Sequence, residues 1–183
     1  MIQNTGAWKG VQVKQHHFFD TSLADEIVKF IKSDSLLDLG CGSGDYVKHF
    51  LGNGVYANGY DGNPDTPELS GYICSVWDLT HPRKLKDEYD WVLSLEVGEH
   101  VPAKYESDYI NNIDINNKKG VIISWAIPGQ HGYGHVNCRD NKYIKDIFHK
   151  LGYINNMEIE TRFREVSTLP WFKNTIMVFE RFV

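Results

Sequence analysis

Three alternate glycines stand in Leu37-Asp38-Leu39-Gly40-Cys41-Gly42-Ser43-Gly44-Asp45, between a short apolar run and a stretch of helical period. Glycine at such a turn lets a ligand approach backbone that a Cβ would shield, and the helix that follows offers free N–H groups to a carboxylate or phosphate. Asp61 lies 21 residues beyond Gly40, at the end of a second apolar run, where a carboxylate accepts both hydroxyls of a ribose. Asp78 ends a third run in Val76-Trp77-Asp78-Leu79, placed to accept from an adenine amino group beside an apolar wall. Either acid alone reads as a solvated turn residue, but the set reads as a site for an adenosine. Asp38, Gly40, Cys41, Gly42, Asp61, Gly62, Asn63, Trp77 and Asp78 are its expected cofactor contacts. The dinucleotide fingerprint puts its third glycine one residue later, where this chain has Asp45.

A second group of reactive side chains follows a fourth apolar run. Glu96, Glu99 and His100 precede Pro102, which suits the first turn of a helix. Glu99 at a positive helix terminus and a simply packed His100 would explain the pair without chemistry. Farther on, Ser124 to Asn137 carries His131 and His135 among glycines. If the fourth and fifth strands are neighbours, these histidines approach Glu96, Glu99 and His100. Glu96, Glu99 and His100 with His131 or His135 then make a ligand set for Mg2+ or Mn2+, or for a transition metal if imidazole dominates. The same groups allow general-base chemistry, with His135, His100, Glu99 and His131 as the catalytic candidates.

The elements that must position these residues alternate between strand and helix. Asp20-Thr21-Ser22 offers caps for a helix with Leu23, Ile27, Phe30 and Ile31 on one face. Strands are predicted at residues 36–39, 54–60, 72–77, 89–95 and 121–126, with helices around 46–51, 102–113 and 141–151, the last stopped by Gly152. Residues 157–166 and 172–182 read as two β-rich runs joined by a short connection containing Pro170, hence a terminal antiparallel hairpin. The expectation is an α/β fold, a mostly parallel sheet with helices on both faces and ligands beyond the carboxyl ends of its strands. One domain is expected over residues 1–183, with an amino-terminal segment and helix (1–33) and a core that binds the cofactor and carries the catalytic groups (34–183).

Nineteen Lys and Arg against 24 Asp and Glu give a net charge of −5, which offers no broad cationic face to a nucleic acid. No apolar run approaches the roughly 20 residues of a membrane span, and the start lacks a signal-peptide pattern. Cys41, Cys74 and Cys138 match no zinc or disulfide spacing and read as reduced thiols, so a soluble, cytoplasmic protein is expected. His16, His17, Phe18 and Phe19 could cover a cofactor but read better as packing. Trp125, Trp171 and Phe172 read as core aromatics, and His49, His81 and His149 as surface or core residues without an acidic partner.

With Asp38-Leu39-Gly40-Cys41-Gly42-Ser43-Gly44 as first motif, and Asp61, Asp78, the Leu93–Pro102 segment and the closing strands in order, the chain resembles the class I S-adenosylmethionine-dependent methyltransferases over nearly its whole length. The resemblance implies a Rossmann-like seven-stranded sheet and S-adenosylmethionine as methyl donor, with Glu96 also at the cofactor. Glu-x-x-Glu-His with a later histidine is similar to the metal site of the small-RNA 3′-terminal 2′-O-methyltransferases, which implies a divalent ion on Glu96, Glu99, His100 and His135. The acidic charge departs from an RNA-binding pattern. The expected acceptor is therefore the hydroxyl of a sugar, glycan or other vicinal diol, a catechol being the nearest competitor. A metal-independent enzyme with a histidine base, an RNA 2′-O-methyltransferase and a non-catalytic cofactor-binding partner subunit are the alternatives.

Overall fold

The computed structural model describes residues 1–10 and 17–182; His16 lies outside them. Chain order gives α1 (Thr21–Ile31), β1 (Leu36–Leu39), α2 (Asp45–Gly52), β2 (Ala57–Asp61), α3 (Thr66–Ser70), β3 (Cys74–Val76) and β4 (Tyr89–Ser94). A 3-10 turn over Ala103–Tyr105 then leads into α4 (Glu106–Ile115), β5 (Asn117–Ile123), α5 (Asn141–Lys150), β6 (Tyr153–Asn155), α6 (Met157–Val166), α7 (Phe172–Thr175) and β7 (Met177–Arg181). The seven strands form one sheet in the order β3-β2-β1-β4-β5-β7-β6. β3 to β5 are parallel, and β7 runs antiparallel to both its neighbours.

Both faces of the sheet are covered, which is why its central strands read as continuous apolar runs. Leu37, Val92, Val121 and Ile123 pack on one side with Tyr109, Ile113, Ile144 and Phe148. Leu36, Leu93, Ile122 and Val178 pack on the other with Leu23, Ile27, Val47 and Phe163. Adjacent residues of a strand thus feed opposite layers.

The closing region differs from the sequence expectation. Residues 157–166 form a helix, because Asn156 caps the Ile159 N–H at 3.0 Å and the sequestered residues recur at four-residue spacing, Ile159 with Phe163 and Glu160 with Arg164. The antiparallel partner of β7 is instead the three-residue β6, and β7 inserts between β5 and β6. Residues 172–175 form α7, so β7 begins only at Met177. β5 stops at Ile123, and Trp125 leaves the sheet to be buried with its ring against Gly98. α3 carries too little apolar periodicity to be anticipated.

The order reverses between β1 and β4, so the loops after these parallel strands diverge and open a crevice at their carboxyl ends. One buried carboxylate ties the chain together behind it. Asp20 caps α1 by accepting from Leu23 N–H at 3.1 Å and also accepts from the N–H groups of Thr168 and Leu169 at 2.7 and 3.0 Å. Asp20→Ala should lower unfolding free energy by about 2–4 kcal/mol, since a cap and two sequestered donors lose their acceptor together. Denaturant unfolding checks this, and a loss typical of an exposed cap alone would show that the 168–169 link carries no stability.

Candidate functional site

The crevice holds a cavity of about 360 Å3. On its β1–β2 side, Asp61 organises the glycine loop: one carboxylate oxygen accepts from Gly42 N–H at 3.0 Å and the other from Asn63 N–H at 2.8 Å. The loop and the carboxylate are therefore one unit, and Asp61 itself lines the cavity. Asn63 is 2% exposed; its carbonyl accepts from Asp65 N–H at 3.0 Å, while its side-chain NH2 has no acceptor among the described residues. That unused donor, at the cavity wall, fits a bound polar ligand. Asp78 accepts from the N–H and hydroxyl of Thr80 at 3.0 and 2.7 Å. Burial, reinforced by Cys74 and Asp61, raises the Asp38 carboxyl well above the usual range.

Gly40, Cys41, Asp38, Asp61, Gly62, Asn63 and Asp78 all line the cavity. Gly42 is screened by His17, whose Nδ1 accepts from Ser43 N–H at 3.2 Å. At φ +55°, a Cβ on Gly42 would stand 1.8 Å from that imidazole, so only glycine admits it. The structure does not bring Trp77 to the cavity. Its indole N–H donates to the His81 carbonyl at 3.1 Å and its ring meets Tyr60 edge-on, while Leu79 and Thr80 supply the lining instead.

The β4–β5 side holds the Glu-His group. Glu99 is fully buried, and neither of its carboxylate oxygens accepts a hydrogen bond among the described residues. The N–H groups of Glu99 itself and Ala126 come near without completing one. Burial above all, then the neighbouring charge of Glu96, raises the Glu99 carboxyl well above the carboxylate range. His100 and His135 stand with ring centroids 5.0 Å apart, and His135 Nε2 lies 4.0 Å from Glu99 Oε1. Each histidine turns its Nδ1 to a backbone carbonyl, His100 to Gly134 at 3.2 Å and His135 to Gln130 at 3.1 Å. Burial, with His135 nearby, lowers the His100 pKa to about 4, so this ring is neutral at pH 7.

One ligand atom from each of Glu99, His100 and His135 falls within 4.8 Å of the others, a spacing that suits a single cation. A ring nitrogen held by a backbone carbonyl, leaving the other for the ion, is the arrangement that metal-ligating histidines adopt. Glu96 is not brought into this set. At φ +53° its carboxylate turns to Gln130 Nε2 at 2.7 Å and Thr175 Oγ1 at 3.2 Å, and burial raises its pKa. Its place is at the cavity wall beside the set. His131 also lines the cavity, outside the cluster.

The His135 loop is held from behind. The Glu99 carbonyl accepts from Val136 and Asn137 N–H, both at 2.9 Å, and Glu106 accepts from Asn137, Arg139 and Tyr143 side chains. Sequence does not single out Glu106, Gln130, Thr175 and Trp8 as parts of the site, because each acts through contacts 30 or more residues away or through an aperiodic segment, and His17, read as packing, lies at the glycine loop. Trp171 and Phe172 line the cavity as well as packing against the core. Two histidines read as unpartnered do have acids: His49 meets Asp25 of α1 at 2.9 Å, and His81 meets Asp78 at 3.4 Å.

Residues 15–118 match the family described as "Methyltransferase domain". No curated protein matches the chain in sequence. Among solved structures, the magnesium protoporphyrin IX methyltransferase from Synechocystis with bound S-adenosylhomocysteine is 16% identical, with a TM-score of 0.66 over 87% of this chain and 82% of its own. An amino pentose methyltransferase from Micromonospora echinaspora, involved in calicheamicin biosynthesis and bound to S-adenosylmethionine, is 13% identical, with a TM-score of 0.64 over 87% and 89%. A small-RNA methyltransferase is 18% identical, with a TM-score of 0.65 over 92% of this chain and 25% of its own. No helix of the described residues is long and apolar enough to cross a membrane.

Asp61→Ala should weaken S-adenosylmethionine binding by about 10- to 100-fold, since a charge-assisted acceptor contributes about 1.5–3 kcal/mol and the loop loses its anchor. Titration calorimetry measures this. An unchanged Kd would remove Asp61 from the cofactor site.

Proposed function

The chain belongs to the methyltransferase-domain family as a class I S-adenosylmethionine-dependent methyltransferase, and on that premise we propose that it methylates a hydroxyl of a vicinal diol on a sugar or glycan, assisted by a divalent cation. The observation that carries this reading is the Glu99 carboxylate, buried with neither oxygen accepting a hydrogen bond and facing two imidazoles. An anion in that setting calls for a proton or a cation. Glu99, His100 and His135 would hold Mg2+ or Mn2+, and Glu96 would stand beside them. A diol gives a cation two adjacent oxygens, which a single hydroxyl does not.

On the cofactor side, Asp61, Asn63 and Asp78 would orient the adenosine, with the loop from Asp38 through Gly42 beneath it. The reaction is in-line: the acceptor oxygen bonds to the methyl carbon as the carbon–sulfur bond breaks, and the electron pair stays on sulfur. The protein aligns these atoms and takes the hydroxyl proton. With a cation on His135 Nε2, His131, which lines the cavity outside the set, would take that proton; without a cation His135 Nε2 would, because its Nδ1 is already held by the Gln130 carbonyl. A divalent cation, when bound, supplies positive charge that lowers the pKa of a coordinated hydroxyl. Net charge of −5 weighs against an RNA acceptor.

A second reading has one specific observation in its favour. His135 Nε2 and Glu99 Oε1, 4.0 Å apart, also make an imidazole–carboxylate pair that could act as a general base without metal.

Labelled methyl transfer to a cis-diol sugar should stop in chelator and return with Mg2+ or Mn2+, and the single-deoxy analogue should lose most of the rate. Glu99→Gln should reduce kcat by about 100-fold or more. Full activity in chelator combined with an inactive His135→Ala would establish the metal-free base. Equal rates on the diol and its deoxy analogue would contradict the diol proposal.

A further inference from the structure

Residues 1–10 fold back as a small hairpin: Gln3 N–H donates to the Ala7 carbonyl, Lys9 N–H to that of Met1, and Ile2 and Trp8 form an antiparallel bridge. The hairpin is seated on both halves of the site. On the cofactor side, Gln3 Nε2 donates to the Gly62 carbonyl and Gly10 N–H to Asp65, both at 3.0 Å. A Cβ on Gly62 would stand 2.5 Å from the Ala7 Cβ, so a side chain there would push the hairpin off. On the Glu-His side, Gly6 lies against the His100 carbonyl, 2.0 Å from where its own Cβ would be, and Ile2 reaches Gly134.

Trp8 stands at the junction. Its indole is perpendicular to three rings: His17, which accepts from the glycine loop, at 6.1 Å, His100 of the candidate cation cluster at 5.6 Å, and Tyr133 of the His135 loop at 5.9 Å. Thr5, Gly6, Ala7 and Trp8 all face the cavity. With the hairpin in place the cavity measures about 360 Å3, near the lower end of the roughly 300–1,000 Å3 of small-molecule sites. The same space must take the cofactor, so little is left for an acceptor.

We propose that the amino-terminal hairpin is the acceptor-selecting wall of this site and that Trp8 limits the acceptor to about one sugar ring. A longer glycan or an RNA terminus would have to displace an indole held by contacts on both halves of the site. The proposal takes its choice of probes from the sugar-diol reading, but the size limit itself does not depend on the acceptor's chemistry.

The test measures methyl transfer by the full-length wild type, Trp8→Ala and Trp8→Phe, each first checked for S-adenosylmethionine binding. The acceptors are a monosaccharide, its tetrasaccharide, a catechol, a bulky catechol conjugate and an RNA oligonucleotide. The wild type should favour the smaller member of each pair. Trp8→Ala should raise the large-to-small ratio of kcat/KM by about tenfold or more, and Trp8→Phe should stay near the wild type. A wild type that methylates the tetrasaccharide or RNA as fast as the monosaccharide overturns the proposal. So does a Trp8→Ala enzyme with an unchanged ratio. Transfer to catechol alone, with the size ratio shifting as expected, would sink the sugar reading and leave the size limit standing. No transfer to any acceptor by any of the three proteins with cofactor bound overturns both.

Discussion

A buried carboxylate that completes no hydrogen bond among the described residues is the constraint around which the β4–β5 side of this protein is arranged. Three other sequestered acids are matched. Asp20 takes three N–H groups, Glu106 takes Asn137, Arg139 and Tyr143, and Glu160 takes Lys145, Asn155 and Arg164. Glu99 alone among these has both oxygens unsatisfied. Its surroundings work to keep that face open: its own carbonyl holds the Val136–Asn137 turn, and the carbonyls of Gly134 and Gln130 turn the two imidazoles by their Nδ1 atoms. Leaving a carboxylate in this state costs several kcal/mol unless a proton or cation compensates. A raised Glu99 pKa and a lowered His100 pKa are two expressions of the same desolvation.

The cofactor side solves the opposite problem. Asp61 accepts from two backbone N–H groups before any ligand arrives, one on each oxygen, so the glycine loop is held in one shape by the very group that would read a ribose. The parallel order β2-β1-β4-β5 puts this preorganised half and the unsatisfied half on one edge. The amino-terminal hairpin bridges them through Gly62, Asp65 and His100. A methyl donor on one half and an acceptor on the other would then meet beneath Trp8.

Sequence exposed those parts of the site that are local. The glycine loop and the Glu-x-x-Glu-His run follow β1 and β4, which read as largely apolar runs because both sheet faces are covered there, whereas Asp61 ends the mixed sequence of β2 and Asp78 follows that of β3. What depended on distant contacts was not legible. Trp77 follows a strand directly but turns to Tyr60 and the His81 carbonyl, and Glu96 is claimed by Thr175 from the far end of the chain. Ile159, Thr161 and Val166 made 157–166 look like a strand, but the Asn156 cap and the spacing of Ile159 and Phe163 make it a helix. Residues 1–10 carry no periodicity at all, and their importance comes only from what they touch.

The most direct test of the account is titration of the cofactor-free protein with Mn2+ by calorimetry near neutral pH, in two buffers of different ionisation enthalpy, for wild type and Glu99→Gln. Burial raises the Glu99 carboxyl, so a cation and a proton compete for it. The account predicts one-site binding with proton release in the wild type, and loss of both in Glu99→Gln. Absence of Mn2+ binding, or binding with the same affinity and proton release in Glu99→Gln, would contradict it.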